Sequence, residues 1–115
     1  MTKDPRRPLP GMPDPAEQQK QKIVAIESTI STTMPGEIGL TSLKQFAAKV
    51  IDVIEFVRES SGHCKNKNAV ISFLEDAKTP LQLAIDEARP GGNNKRRYQN
   101  ISLVAKMLRD ALKNW

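Results

Sequence analysis

Apolar side chains at Leu43, Phe46, Ala47, Val50, Ile54 and Val57 recur every three or four residues. That period belongs to the α-helix, and it places all six on one helical face. Ile51, Val53 and Phe56 add apolar surface outside the stripe. The charges of this segment are confined to a narrow strip, so other elements must bury most of its girth. The stripe therefore predicts a helical bundle with this helix at its centre.

The rest of the chain supplies faces to cover it. Val70, Phe73, Leu74 and Ala77, continued by Leu81, Ala84, Ile85 and Ala88, form one. Ile101, Val104, Ala105, Leu108, Leu112 and Trp115 form another. Ile23, Val24, Ile26 and Ile30 crowd the last two turns of a helix over 14–30 whose first half is polar. No run alternates as a half-buried strand does, and aromatic residues are only 4% of the chain, whereas strands draw on aromatic and β-branched types. The expected fold is all-α, a small four- to five-helix bundle over 14–115 behind a disordered proline-rich tail over 1–13. Pro5, Pro8, Pro10 and Pro13 exclude regular structure from that tail. Pro5-Arg6-Arg7-Pro8 has PxxP spacing, which suits a polyproline-type ligand.

Start and stop signals set the boundaries. Asp14 caps the first helix, with Pro15 at its first position and Glu17 three residues after the cap. Ser28 to Gly39 reads as a break. Thr41 or Ser42 caps the central helix, and Ser60-Ser61-Gly62 ends it. A loop follows over His63 to Asn68. Thr79-Pro80-Leu81-Gln82 fits either a kink or a fresh start, so 69–88 is one kinked helix or two. Pro90-Gly91-Gly92-Asn93-Asn94 is the strongest loop signal, and Asn100 caps the last helix. That leaves Lys95 to Tyr98 in a basic loop.

The net charge is +5 and is unevenly placed. Residues 89–97 hold Arg89, Lys95, Arg96 and Arg97 and no acid, while residues 69–88 set Glu75, Asp76, Asp86 and Glu87 against Lys78 alone. Together with Tyr98, the four cations form the candidate site for an anionic ligand. Nucleic acid would use the cations for phosphates and the ring for stacking. An anionic lipid surface would use the cations alone. Ile51, Val53, Phe56 and Trp115 are the candidate partner interface: two neighbours leave the first three uncovered unless Ile23, Ile26 and Ile30 of the 14–30 helix fill the gap, and Trp115 either covers the bundle's end or stands exposed.

Signals for catalysis are missing. A lone His63 rules out a multi-histidine metal site, and adjacent Cys64 lacks the further ligands of a zinc site. Asp52, Glu55 and Glu59 form an acidic ridge offset by Lys44, Lys49 and Arg58, with no catalytic partner beside them. Gly91-Gly92 lacks the Gly, Lys and Ser/Thr that complete a phosphate loop. The single cysteine excludes an internal disulfide and fits a reducing compartment. The N-terminus has no secretory apolar core, and no window nears the 18 or so apolar residues of a bilayer span. The expectation is a cytoplasmic, non-enzymatic interaction or signalling module without a cofactor. It self-associates or touches anionic lipid through the basic loop; the alternative is a nucleic-acid-associated factor using the same patch.

The order of elements also carries a resemblance. An apolar helix over Ser42 to Glu59 precedes a turn. A longer helix then opens with Cys64-Lys65-Asn66-Lys67-Asn68 and runs through Val70-Ile71-Ser72-Phe73-Leu74 to Thr79-Pro80-Leu81. This resembles the first helical hairpin of the HeLo and mixed-lineage-kinase-like N-terminal four-helix domains, over roughly residues 40–115. The resemblance implies a cell-death or signalling bundle that engages other copies and acidic lipids. Those domains are longer and precede a regulatory or effector module, so it implies an adaptor-like fragment here. Leu103 to Trp115, with its A-x-x-L-x-x-x-x-x-x-W ending, is similar to the last helix of transcription-elongation N-terminal bundles, which bind disordered peptides.

Overall fold

The structure, a computed structural model, describes residues 15–59 and 64–115. Four helices account for most of them: α1 (Pro15–Thr32), α2 (Leu40–Glu59), α3 (Lys67–Glu87) and α4 (Asn94–Lys113). One 3-10 turn, Pro35–Glu37, lies between α1 and α2, and the described residues contain no strand. The all-α bundle expected from the stripes is the observed architecture. The proposed tail over 1–13, the Asp14 cap, the Ser60-Ser61-Gly62 stop and His63 lie outside the described residues.

Each helix packs on its neighbours in sequence, and α4 closes the ring against α1. The most extensive contact is between α3 and α4. Side-chain pairs show that neighbours run antiparallel. Arg58 near the end of α2 pairs with Glu75 of α3, and Lys67 at the start of α3 donates to the Arg58 carbonyl at 2.9 Å. Glu27 of α1 meets Arg109 of α4 at 3.5 Å. One end of the bundle therefore gathers the 3-10 turn, the start of α2, the end of α3 and the start of α4. The opposite end is closed by main-chain bonds, Lys65 N–H to the Trp115 carbonyl at 3.2 Å and Asn66 N–H to the Asn114 carbonyl at 3.0 Å.

The core follows the helical periods. Leu43, Phe46, Val50, Ile54 and Val57 of α2 are buried, with Val70, Leu74, Ala77, Leu81, Ala84 and Ile85 of α3 and Ile101, Val104, Ala105, Leu108 and Ala111 of α4. Each large aliphatic side chain of this set contributes about 1.5–3 kcal/mol by leaving water. α1 enters the core only from Ile23 onward, through Ile23, Ile26 and Ile30, as its polar first half predicts. α2 is not the centre of the bundle: it is one of four staves, covered by α1 on one side and α3 on the other. Those two neighbours together bury Val53 completely, which removes it from the candidate partner interface.

Three boundaries differ from the sequence expectation, each for a local reason. The Ser/Thr run that signalled a break stays helical to Thr32. Thr29 and Thr32 return their hydroxyls to the carbonyls of Ala25 and Ser28, both at 2.7 Å, a bond that lets these residues sit in a helix without solvating its backbone. The actual break is Met34, extended ahead of Pro35, as the residue before proline prefers. α2 starts at Leu40, with the Gly39 carbonyl accepting from Leu43 N–H at 3.0 Å, so Thr41 and Ser42 lie inside its first turn rather than capping it. α3 starts at Lys67, where Asn66 caps it by accepting from Ala69 N–H at 3.1 Å.

α3 is also one helix rather than two, with Pro80 buried inside it. Proline there removes a backbone donor. The positions on either side of it, Leu74 and Ala77 before and Leu81 and Ala84 after, bury against the same neighbours, and that packing holds the helix through the proline. Ile38, in the connection between α1 and α2, is 2% exposed and fills the core from a segment read as a break.

Candidate functional site

The turn from α3 into α4 fixes the direction of the cations. Ala88 N–H bonds to the Ala84 carbonyl at 2.9 Å and ends α3. Gly91 then takes a positive φ of 86°, the left-handed region that glycine enters without strain. Gly92 folds back so tightly that a methyl group on it would lie 1.8 Å from the Glu87 carbonyl oxygen. The Glu87 carboxylate accepts from Asn93 N–H, and the Asn93 side chain accepts from Arg96 N–H at 3.0 Å. Asn93 is thus the cap of α4.

Lys95, Arg96, Arg97 and Tyr98 consequently stand on the first turns of α4 and not in a loop. Asn100 is interior to the helix, where its amide donates to the Arg96 carbonyl at 2.9 Å. This is the largest departure from the sequence reading. The cause is local: Asn93, Asn94 and Asn100 are all plausible caps by type, and the turns between them carry no apolar periodicity to choose among them.

The placement has an electrostatic consequence. The first turn of a helix carries partial positive charge, which favours acids and disfavours cations. The first turn of α4 holds no acid and three cations. Arg89, Lys95 and Arg96 are exposed, with Arg97 partly buried beside them. Among the described residues, none of the four is in an ion pair. Other cations do find carboxylates: Arg58 and Lys78 share Glu75, Arg109 meets Glu27, and Lys113 approaches Asp110. The cationic end is a local conflict that the fold tolerates.

Tyr98 is half-buried, with its tip held against the connection between α1 and α2. The 3-10 turn lies against it, so that a methyl group at Gly36 would sit 3.1 Å from the Tyr98 hydroxyl oxygen. The Arg97 guanidinium carbon is 5.2 Å from the ring centroid, in a cation–π arrangement. Arg97 Nε is buried with no acceptor. The contact at Gly36 also brings Met34, at 71% the most exposed large apolar side chain among the described residues, to the end that carries the cations.

The candidate partner residues separate. Ile51 is exposed on α2. Phe56 and Trp115 are partly buried against the core, so neither is displayed as an anchor. Ile51 instead shares a groove of about 400 Å³ with Ala47 on α2 and Lys78, Thr79, Leu81, Gln82 and Leu83 on α3. Leu83, 47% exposed, went unnoticed in the sequence. Its signal is that it falls off the stripe of Leu74, Ala77, Leu81, Ala84 and Ile85.

No group of three or more His, Cys, Asp or Glu among the described residues is arranged to hold a metal ion. Burial pushes the Cys64 thiol above its ordinary pKa, against a smaller opposing pull from the Lys67 ammonium, so the thiol stays protonated at neutral pH. No helix among the described residues is long and apolar enough to cross a membrane. No protein-family model, curated protein or solved structure matches the chain. What the fold and the site define is a four-helix bundle with an unpaired cationic end.

Proposed function

We propose that the protein is a non-enzymatic helical interaction module, working in a reducing intracellular compartment, that docks an acidic protein surface through the end bearing Arg89, Lys95, Arg96 and Arg97. The observation that carries this reading is the concentration of unpaired cations at the start of α4, where the helix dipole opposes them. An acidic partner supplies those side chains with carboxylates, in addition to the Glu87 carboxylate that already accepts from Asn93 N–H at the helix start. The half-buried Tyr98, held at its tip by the 3-10 turn, offers a base less stacking surface than a free ring would. The resemblance of the element order to HeLo-type bundles is in keeping with an interaction role.

Replacement of Lys95, Arg96 and Arg97 together by alanine tests it. Retention on immobilised polyglutamate at low salt is expected to be lost. Because the cations oppose the helix dipole, the same variant is expected to melt a few degrees above the parent, for a gain of about 1 kcal/mol. Undiminished retention overturns the reading. Loss of retention on anionic vesicles or RNA, with retention on polyglutamate intact, redirects it to lipid or nucleic acid.

A further inference from the structure

The cationic end has a complement on the same molecule that it cannot reach. The groove between α2 and α3 has an apolar floor with Ile51 and Leu83 exposed along it. Glu55 follows Ile51 by four residues, and Asp76 precedes Thr79 and Leu83 by three and seven, so both carboxylates extend the stripes that line the groove. Asp52 stands three residues before Glu55 on α2. All three acids are exposed, and none is ion-paired among the described residues. Of the cations near the groove, Lys78 is bonded to Glu75 at 3.1 Å, and Lys44, on the Ala47–Ile51 stripe, stands toward the start of α2, at the other end of that stripe from Glu55.

Within one copy these carboxylates and the cations stand apart. α2 and α4 are diagonal in the ring, and Asp52 and Glu55 lie in the half of α2 directed away from the end where α4 starts. The two clusters can therefore pair only between molecules. We infer that the partner of the cationic end is the α2–α3 face of a second copy of this chain, with Met34 of one copy entering the Ile51–Leu83 groove of the next and Lys95 and Arg96 meeting Asp52, Glu55 and Asp76. This rests on the reading of the cationic end given above and names its partner. Two observations select a second copy: the charges are complementary, and an exposed, unbranched Met34 stands beside the cations as a side chain able to fill an irregular apolar groove. The two surfaces differ, so the contact either closes reciprocally as a two-fold dimer or propagates head to tail into a ring or an open chain.

Sedimentation velocity on the full chain tests the inference. Mass should rise with concentration at low salt, about 20 mM, and fall back to monomer at high salt, about 0.5 M, where the Debye length drops to a few ångström. Two charge-reversed variants sharpen it, Asp52→Lys with Glu55→Lys, and Lys95→Glu with Arg96→Glu. Each alone is expected to be monomeric, with at least a tenfold weaker self-association, and an equimolar mixture to associate again because each restores the other's complement. All four positions are exposed, and unchanged far-UV dichroism confirms that the variants fold. A parent chain that stays monomeric at low salt and high concentration overturns the inference, as do variants that associate like the parent or a mixture that does not recover. Intact polyglutamate binding in a strictly monomeric parent leaves the cationic-end reading standing and removes this one alone.

Discussion

Ile54→Asp is expected to leave the chain unfolded at neutral pH. Ile54 is 3% exposed in the middle of α2, between the faces contributed by α1 and α3. The substitution removes most of an aliphatic side chain, which costs about 2–5 kcal/mol through lost burial and the cavity left behind. It also places a carboxylate where no described cation stands opposite it, which adds several kcal/mol more. A chain of this size has about 5–15 kcal/mol of stability in all. Circular dichroism should show loss of helicity at 25 °C, whereas Ile54→Val, which keeps the shape, should cost only about 0.5–1.5 kcal/mol. A cooperative melt near that of the parent would mean that this face of α2 is not core.

Gly92→Ala carries the second large effect, and its origin is the backbone. The new methyl group would lie 1.8 Å from the Glu87 carbonyl oxygen and 2.4 Å from its carbonyl carbon. Neither atom belongs to a flexible side chain, so the end of α3 and the start of α4 must move apart. That movement pulls Asn93 from the Glu87 carboxylate and weakens the cap on Arg96 N–H. Strain and a lost cap together should cost about 2–4 kcal/mol, lowering the melting temperature by ten degrees or more. Gly91→Ala should cost less, about 1–2 kcal/mol, because only its left-handed backbone opposes a side chain. Gly39→Ala, where the added methyl meets nothing within 4 Å, should be close to neutral. Equal melting temperatures for the three would show that the turn is not held as tightly as its geometry indicates.

The core was legible because burial and helical period coincide. Of the six stripe positions on α2, five are buried and Ala47 is half-buried, and the stripes on α3 and α4 face inward, with Phe73, Ala88, Leu112 and Trp115 only partly covered. Val53 and Ile38 were not legible. Val53 lies outside a single-face stripe, and its burial depends on having two neighbours set wide apart. Ile38 stands alone among glycines and a proline, with no periodic companion to mark it. The cations of the candidate site were visible by composition, but what distinguishes them was not. Their position on a helix start depends on which asparagine caps α4, and their lack of carboxylate partners depends on how α4 is turned relative to α3. Both are outcomes of packing. Leu83 and Met34 were hidden for the converse reason, since a single exposed apolar residue gains meaning only from what lies next to it.

The hairpin of α3 and α4 is fastened at both ends, by Glu87 and Asn93 at one and by the main-chain bonds from Lys65 and Asn66 to Trp115 and Asn114 at the other. α1 enters the bundle through only three buried side chains. The consequence is a hierarchy of opening motions. Amide protons on α1 should exchange with solvent through local detachment, at a free energy well below that of global unfolding, while those in the middle of α3 and α4 should exchange only when the whole chain unfolds. Native-state hydrogen exchange would then resolve a persistent two-helix unit and a less tightly held α1 within a bundle whose helices are of nearly equal length.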